Sequence, residues 1–303
     1  MKKTFRILGL ALVATGLLFA GCNKAEEEEE EEEGASTSLE VNVSQTPSTK
    51  TVLIEEFTGD RCGYCPYGHK YANEVSESLG DKCCVINYHV KLGELALHYR
   101  TQFGTTLNGN FNVENGSSGI PAALFNRTDF SGSGGKITKG INTSSNTYSS
   151  WANQVAAQQA CANIAATAVI NKSSRQLTVR VKVYYTADGT GSSNKLNVAI
   201  IQNNIMGTQS GASANPAQGT QSEYRHMEVF RDFLTGQWGE AISPVTQGTT
   251  IDKTYTYTIP EAYTDTYGNT SEPAVLENLE VIAFVAEGNT NVINACKAKL
   301  TLK

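Results

Sequence analysis

The sequence predicts an α/β domain followed by an all-β sandwich domain. Between residues 51 and 90 an apolar β-branched run, a helical stretch and a second apolar run follow one another, in the order strand, helix, strand. Such a βαβ unit requires a parallel sheet with a right-handed crossover. After residue 161 the chain consists of short runs of high β propensity separated by turn-rich stretches, which is typical of a β-sandwich.

Each element of the α/β part has a local reason. The run TVLIEEF, residues 51–57, is rich in the residues that favour strands. Pro66 begins a helix because its missing N–H would be unpaired there in any case, and Gly80 ends it. Pro121 begins a further short strand or lies at a bend, since a proline in a central strand removes a ladder hydrogen bond. An amphipathic helix over residues 147–160 closes this domain.

The second part changes pattern. Side chains alternate by twos in several runs, for example in the stretch LTVRVKV that begins at Leu177. We therefore place the domain boundary near residue 160, with an α/β domain over 49–160 and the β-sandwich over 161–303.

The N-terminus predicts export and lipidation. A basic head, MKKTFR, precedes the apolar run ILGLALVATGLLF, so residues 1–21 are predicted to be a signal peptide. The string LFAGC, which ends at Cys22, resembles the bacterial lipobox, whose cysteine becomes the lipidated first residue of the mature protein. The alternative is an ordinary signal peptide with a chance cysteine. Acyl chains would convert an exported domain into a membrane-anchored one.

Residues 22–48 are predicted to be a tether. They contain eight consecutive glutamates, Glu26 to Glu33, which repel one another and cannot form a packed core. An acidic stretch after the lipidated cysteine resembles surface-displayed lipoproteins of Bacteroidetes, so we predict an outer-membrane protein on the cell surface. The periplasmic face is the alternative.

The net charge argues against a nucleic-acid partner. The formal net charge of −6 is smaller than the charge of the glutamate run alone, so the remainder of the mature chain is near neutral. It therefore has no basic surface of the kind that binds nucleic acid. The predicted partners are the outer membrane, through the lipid anchor, and an unknown protein client or surface ligand.

The segment EEFTGDRCGYCPYGHK contains the main candidate site. A CxxC pair beside a βαβ pattern indicates thiol–disulfide chemistry. Cys62 lies at the start of the predicted helix, where unpaired N–H groups favour a thiolate, and Arg61 adds a positive charge. Cys65 is one turn away and close enough to resolve a mixed disulfide.

This segment resembles the thioredoxin superfamily in the order and spacing of its residues. The resemblance implies that Pro121 is the cis-proline that faces the CxxC. It also implies that Glu56 is the buried acid that relays protons to Cys65. His89 is an addition from the topology, because the carboxyl ends of parallel strands share one sheet edge and place it near Cys62. The alternative is a histidine hydrogen-bonded beneath the insertion at 91–118.

The chain after the tether also resembles the Omp28-related outer-membrane lipoproteins of Bacteroidetes. The matching pieces are EEFTGDRCGYCP, NYHV, SGIPAALFNR, YRHMEVFRDFLTGQWGE and VIAFVAEGNTNVINACKAKL. The resemblance implies a thioredoxin-like domain followed by a β-rich domain at the outer membrane. It implies little about substrate, and an adhesin or receptor role has been suggested for the family.

The other cysteines suggest structural roles. Cys161 and Cys296 flank the β domain and are candidates for a structural disulfide in an oxidising compartment. Zinc bound by the CxxC, His69 and Cys83 or Cys84 is a rival, but the last two begin the second strand, at the opposite sheet edge. We predict no metal and no cofactor.

Two functions follow. In the first, the protein is a thiol–disulfide oxidoreductase in which Cys62 attacks a disulfide and Cys65 resolves it. In the second, it is a non-catalytic surface binding protein or adhesin in which the CxxC is a fixed disulfide. The segment 224–240, rich in arginine and aromatic residues, is either a connector with a buried Trp238 or a loop that binds a partner or covers the CxxC.

Overall fold

A computed structural model describes residues 39–90, 96, 98–110, 119–130, 138–139, 145–265 and 271–303. The predicted signal peptide, Cys22 and the glutamate run lie outside these residues. The described residues belong to one compact unit, Leu39–Lys303.

Within the described residues the helices are α1 (Cys65–Leu79), α2 (Gln102–Asn110) and α3 (Ser145–Ala156). The strands are β1 (Val52–Thr58), β2 (Cys83–His89), β3 (Ala122–Phe125), β4 (Thr138–Lys139), β5 (Ala162–Asn171), β6 (Gln176–Tyr185), β7 (Asn194–Gln202), β8 (Ile205–Gly207), β9 (Tyr224–His226), β10 (Val229–Phe233), β11 (Glu240–Ile242), β12 (Thr250–Thr258), β13 (Ala262–Thr264), β14 (Ser271–Pro273), β15 (Leu279–Glu287), β16 (Thr290–Lys297) and β17 (Lys299–Leu302).

Nine of the described strands form one mixed sheet in the order β16-β15-β7-β10-β2-β1-β3-β4, with β11 paired to β7. The strands β1 and β2 are parallel over their whole length, from Val52 opposite Cys83 to Thr58 opposite His89. The helix α1 connects them, so the predicted βαβ unit is confirmed. The strand β3 joins the other side of β1 in the antiparallel direction.

The sheet continues across the predicted domain boundary. The strand β10 pairs in parallel with β2, and β7, β15 and β16 extend the sheet beyond it. A second sheet, β12-β6-β5-β17, packs its apolar side chains against those of β7 and β15 in one hydrophobic core. The structure is therefore mostly β with mixed sheets, which confirms the β-rich second part. The division at residue 160 into separate domains stays a prediction.

The two faces of β1 serve different cores. Val52 and Ile54 face the helices α1 and α3, whereas Leu53 and Phe57 face an inner core that also contains Val292 of β16. The strand β16, at one end of the large sheet, also lies beside the end of β3, where Val292 N donates to the carbonyl oxygen of Asn126 at 2.8 Å. Because side chains alternate along a strand, the neighbours Glu55 and Glu56 lie on opposite faces.

The predicted tether is too long at its C-terminal end. Residues 39–48, which we assign to it from sequence, pack against the β5–β6 hairpin instead. Val41 is buried, and Asn163 Nδ2 donates to the carbonyl oxygens of Ser44 and Thr46 at 2.7 Å each. These contacts fix a stretch whose polar composition gives no strand or helix pattern.

None of the described helices is both long and apolar enough to span a membrane.

Candidate redox site

The CxxC motif lies at the junction of β1 and α1. Cys65 is the first residue of α1, and Cys62 lies in the preceding turn, where the Cys65 N–H donates to the Cys62 carbonyl oxygen at 3.2 Å. The two residues form a disulfide. Pro66 lies in the first turn of the helix, as its missing N–H predicts. The pair therefore lies at a helix N-terminus, where a thiolate is favoured.

Pro121 lies opposite this pair. The peptide bond between Ile120 and Pro121 is cis, and Cys62 Sγ lies 3.6 Å from the carbonyl oxygen of Ile120. A Cβ atom at Gly68, on the helix turn after Cys65, would lie 3.0 Å from Cβ of Pro121. The structure therefore brings the CxxC and α1 together with the Pro121 loop.

Glu56 lies behind α1 and is completely buried. A Cβ atom at Gly68 would collide with Oε1 of Glu56, so the glycine leaves the space that the carboxyl group occupies. The hydroxyl of Tyr148 on α3 is the polar group that interacts with this carboxyl group. Burial, with a smaller contribution from Glu228, holds the pKa of Glu56 well above its ordinary value, so the group is a neutral acid near pH 7.

Glu55, the preceding residue, has the opposite environment. It lies on the inner face of β1, where Arg127 donates from Nε and Nη2 to its two oxygens at 2.7 and 2.8 Å. Tyr88 also donates its hydroxyl to Glu55 at 3.1 Å. This carboxylate is therefore fully paired in the core, and its role is structural.

The four histidines of the chain lie close together at the carboxyl ends of β1 and β2. His69 of α1 is hydrogen-bonded to Oγ1 of Thr58 at 2.7 Å and to the hydroxyl of Tyr224 at 2.9 Å. The rings of His89 and His226 are 5.5 Å apart. Burial lowers the pKa of His69 to about 3 and that of His226 to about 4, so both are neutral near pH 7.

A segment from the second half of the chain, which contains Gln209 and Ser210, lies across residues 59–63, the CxxC loop. Gln209 donates from Nε2 to the carbonyl oxygens of Gly59 and Cys62, each at 3.1 Å. The N–H of Ser210 donates to the carbonyl oxygen of Asp60 at 2.8 Å. Cys62 is only 2% exposed. Sequence reasoning missed this segment, because nothing in its polar residues indicates a partner 150 positions away.

A family model for the outer membrane protein Omp28 matches residues 108–303, which is more than half of the chain. The chain belongs to the Omp28 family. The predicted resemblance is therefore confirmed, and the protein is a member of an outer membrane protein family. The match begins after the CxxC, so family membership includes Pro121 and the crossing segment but assigns no role to Cys62 or Cys65.

Solved structures give the fold. HBP35 of Porphyromonas gingivalis superposes with a TM-score of 0.61 at 18% identity, covering 84% of this Omp28-family chain and 76% of that chain. At this identity the likeness shows a shared fold only. A protein from Agrobacterium tumefaciens gives a TM-score of 0.47 at 11% identity, over 84% and 96% of the two chains. A domain of the outer membrane lipoprotein Omp28 from P. gingivalis gives 0.30 at 20% identity, over 48% and 91%. Comparison with curated proteins gives no match.

The two predicted modulators of Cys62 differ from expectation. His89 is buried against Tyr99 and His226, and its pKa is well below the ordinary value because of burial and the neighbouring histidines. It therefore carries no positive charge near pH 7. His89 packs against Tyr99 of the 91–118 insertion, but its Nδ1 has no hydrogen-bond partner among the described residues, so the alternative of a histidine hydrogen-bonded beneath the insertion stays a prediction. Arg61 is exposed, where water and salt screen its charge.

The remaining thiols do not form the predicted bridge. Cys161 and Cys296 are free in the structure, as are Cys83 and Cys84. The side chain of Cys296 packs instead in the core between the two large sheets. Burial raises the pKa of Cys83 and of Cys84 to about 12, so both behave as small apolar side chains.

The segment 224–240 divides into two parts. Its first residues form β9, where Tyr224 bonds to His69 of the redox helix. The following strand β10 lies inside the large sheet, and Trp238 packs on the inner core. The connector interpretation therefore fits β10 and Trp238, whereas Tyr224 reaches the redox site. No three His, Cys, Asp or Glu residues in the described part of the chain are arranged to hold a metal ion.

Proposed function

We propose that this outer-membrane protein is a lipoprotein with a thioredoxin-like site that exchanges disulfides with a protein client. One observation carries the proposal: the Cys62–Cys65 pair begins α1, faces Pro121, and has the buried neutral carboxyl of Glu56 behind the same helix. A fixed structural disulfide needs neither a helix N-terminus nor a neutral acid. Exchange uses both, because one stabilises a thiolate and the other supplies a proton.

In the oxidised state a client thiolate attacks Sγ of Cys62. The Cys62–Cys65 bond breaks, its electron pair leaves on Cys65, and the buried Cys65 thiolate takes the proton of Glu56. A second client thiolate then attacks the client sulfur of the mixed disulfide and releases Cys62 as a thiolate at the helix N-terminus. Two electrons pass to the pair, and two client thiols become a disulfide.

The reverse sequence reduces a client disulfide. The Cys62 thiolate attacks the client, and Cys65, after losing its proton, attacks Sγ of Cys62 and releases the client as a dithiol. This direction consumes two electrons from the pair, so an external dithiol must supply them again. The relative reduction potentials of pair and client set the direction.

The finer architecture follows the same proposal. The β1–α1–β2 unit with Pro121 supports a thioredoxin-like domain. The four-stranded sheet shares its core with β7 and β15, which supports a sandwich arrangement in the second part. Because β10 also pairs with β2, this sandwich is continuous with the sheet of the redox site.

The string LFAGC and the glutamate run support a lipid anchor at Cys22 and display on the cell surface. We expect the substitution Cys22→Ala to move the protein from the membrane fraction to the soluble fraction, because the acyl chains supply the membrane affinity. Cell fractionation and immunoblotting measure this. Retention of Cys22→Ala in the membrane fraction would contradict the anchor.

A second candidate function is ligand binding with the disulfide fixed. The low exposure of Cys62 favours it, as does a pocket of about 520 Å³ beside the CxxC loop. Its lining residues include Arg61, Thr208, Ser210, Thr220 and Ser222. A pocket that offers both apolar surface and a few polar side chains suits a small ligand.

Client trapping tests the proposed exchange. In the Cys65→Ser protein, Cys62 can form a mixed disulfide that no resolving thiol breaks, so adducts sensitive to reducing agent should accumulate in cells. The matched control is Cys62→Ser with Cys65→Ser, which lacks the attacking thiol. Equal adduct levels in the two strains would contradict exchange and favour the binding function.

A further inference from the structure

The segment that crosses the CxxC loop is attached at both of its ends. We define the clamp segment as residues 207–224, from the last residue of β8 to the first residue of β9. Near its start, Gln209 and Ser210 bond to the backbone of the CxxC loop, residues 59–63. At its other end, the hydroxyl of Tyr224 bonds to Nδ1 of His69 on α1 at 2.9 Å. The clamp segment therefore spans the redox motif from its loop to its helix.

Gln209 is the central contact. Its side chain is completely buried, and Nε2 donates to the carbonyl oxygens of Gly59, Cys62 and Ser210, each at 3.1 Å. A buried amide that directs its donors at a loop holds the loop in place, since those carbonyl oxygens lose their partner if the amide leaves. Two of the three carbonyl oxygens belong to the CxxC loop.

Gly211 makes the closest approach. A Cβ atom there would collide with the carbonyl oxygen and the carbonyl carbon of Gly63, inside the CxxC motif. Only a glycine permits this backbone contact, and the φ angle of +72° at Gly211 also favours glycine. The clamp segment therefore rests directly on the peptide between the two cysteines.

The contacts have a consequence for the sulfur atoms. Tyr64 and Tyr67 are 58% and 44% exposed, so the motif lies at the protein surface. Cys62 is nevertheless 2% exposed, and its sulfur faces the carbonyl oxygen of Ile120. Disulfide exchange requires a thiolate to reach a sulfur atom, so the loop that carries Cys62 must shift before a client can react.

We propose that the clamp segment controls access to the Cys62–Cys65 disulfide, with Gln209 as the positioning residue that holds the CxxC loop closed. Release of Gln209 and Gly211 from the loop frees Cys62 to turn outward, and their return closes the site. The inference rests on the proposed exchange for its biological purpose. The access itself is a property of the disulfide that can be measured without a client.

The test uses a matched pair of glycines in the full-length protein. Gly211 and Gly236 both have a φ angle of +72°, but a Cβ at Gly236 meets no atom within 4 Å. Dithiothreitol reduces the disulfide, and acid quenching followed by alkylation and peptide mapping follows the thiols of Cys62 and Cys65. We expect the disulfide of Gly211→Ala to be reduced about tenfold faster than that of Gly236→Ala. This factor corresponds to a loss of about 1.4 kcal/mol in the free energy that favours the closed CxxC loop. Equal rates in the two variants would overturn the inference.

A second pair protects the test against misfolding of the Gly211 variant. Gln209→Met keeps the side-chain length and removes the donors, whereas Gln221→Met makes the same change at an exposed position of the clamp segment. With circular dichroism unchanged in both, Gln209→Met should be reduced about tenfold faster, because it loses the hydrogen bonds to the carbonyl oxygens of Gly59 and Cys62. Rates within twofold of the control would overturn the inference. Client trapping by Cys65→Ser is a separate readout, so the clamp and the proposed exchange can fail independently.

Discussion

Two groups of cysteines lie at opposite ends of the same two strands. Cys62 and Cys65 follow the carboxyl end of β1, at the N-terminus of α1. Cys83 and Cys84 begin β2, where Cys83 is opposite Val52. The first pair is oxidised and has a neutral acid nearby, whereas the second pair is reduced and has a pKa of about 12 at each thiol. The comparison shows that burial, and not the presence of a neighbouring cysteine, holds Cys83 and Cys84 as unreactive thiols.

Serine substitution should separate the two groups most strongly. We expect Cys62→Ser to abolish reduction of a peptide disulfide, because the attacking thiolate is gone. Cys84→Ser should retain wild-type activity, since its thiol is buried in the inner core. A turbidity or fluorescence assay of disulfide reduction measures both. Residual activity in Cys62→Ser would show that Cys62 is not the attacking cysteine and would contradict the difference between the two groups.

Alkylation of the reduced native protein should distinguish the same groups by rate. The buried thiols of Cys83 and Cys84 should react at least about 10³-fold more slowly than Cys62, because they react only after unfolding, which costs about 5 kcal/mol or more. Peptide-resolved mass spectrometry after timed labelling measures each rate. Fast labelling of Cys84 in the folded protein would contradict its role as an apolar side chain.

Glu56 and Glu55 provide a comparison across the two faces of β1. We expect Glu56→Gln to slow exchange about 100-fold, the lower end of the contribution of a positioned proton donor. The rate should become independent of pH where wild type follows the titration of Glu56. Glu55→Gln should instead lower the free energy of unfolding by about 3 kcal/mol, because it removes the negative charge that Arg127 binds in the core.

Stopped-flow kinetics and urea unfolding measure these two effects. If Glu56→Gln lowered the free energy of unfolding and left the exchange rate unchanged, Glu56 would have a structural role only.

We expect the buried His226 to make the free energy of unfolding depend on pH, with a smaller effect than the substitutions above. The pKa of His226 is about 4 in the folded protein and near 6.5 in the unfolded chain, so the unfolded state binds more protons between these values. Its contribution to stability is complete above pH 6.5 and is lost as the pH falls toward 4. Relative to wild type, His226→Phe should therefore gain about 2.2 kcal/mol of stability between pH 6.5 and 4.5. Urea unfolding at both pH values measures this, and a constant difference would contradict a neutral buried His226.

Local pattern predicts one half of the site and misses the other. The strand, CxxC and helix of residues 51–79 are recognisable because each signal lies within a few residues of the next, and the proline at 121 has its own signature. Gln209 gives no such signal, because its partners are backbone carbonyl oxygens of a loop about 150 residues away. The pairing of β10 with β2 cannot be predicted from the sequence either, because any apolar strand could pair with β2.

The same limit explains two corrections. Residues 39–48 carry few apolar side chains. They pack through Val41 and through hydrogen bonds from Asn163 of β5, and these contacts exist only once the β5–β6 hairpin has folded. Cys161 and Cys296 flank the β domain in sequence, but Cys161 lies just before β5 and Cys296 lies in β16, and both thiols are free.

The reduction potential of the Cys62–Cys65 pair decides whether this disulfide can exchange. Redox titration of the full-length protein with peptide-resolved alkylation gives the value. We expect a potential between roughly −120 and −270 mV, the range of proteins that exchange disulfides. A potential below about −300 mV would identify a structural disulfide, contradict the proposed exchange and leave ligand binding beside the CxxC loop as the function.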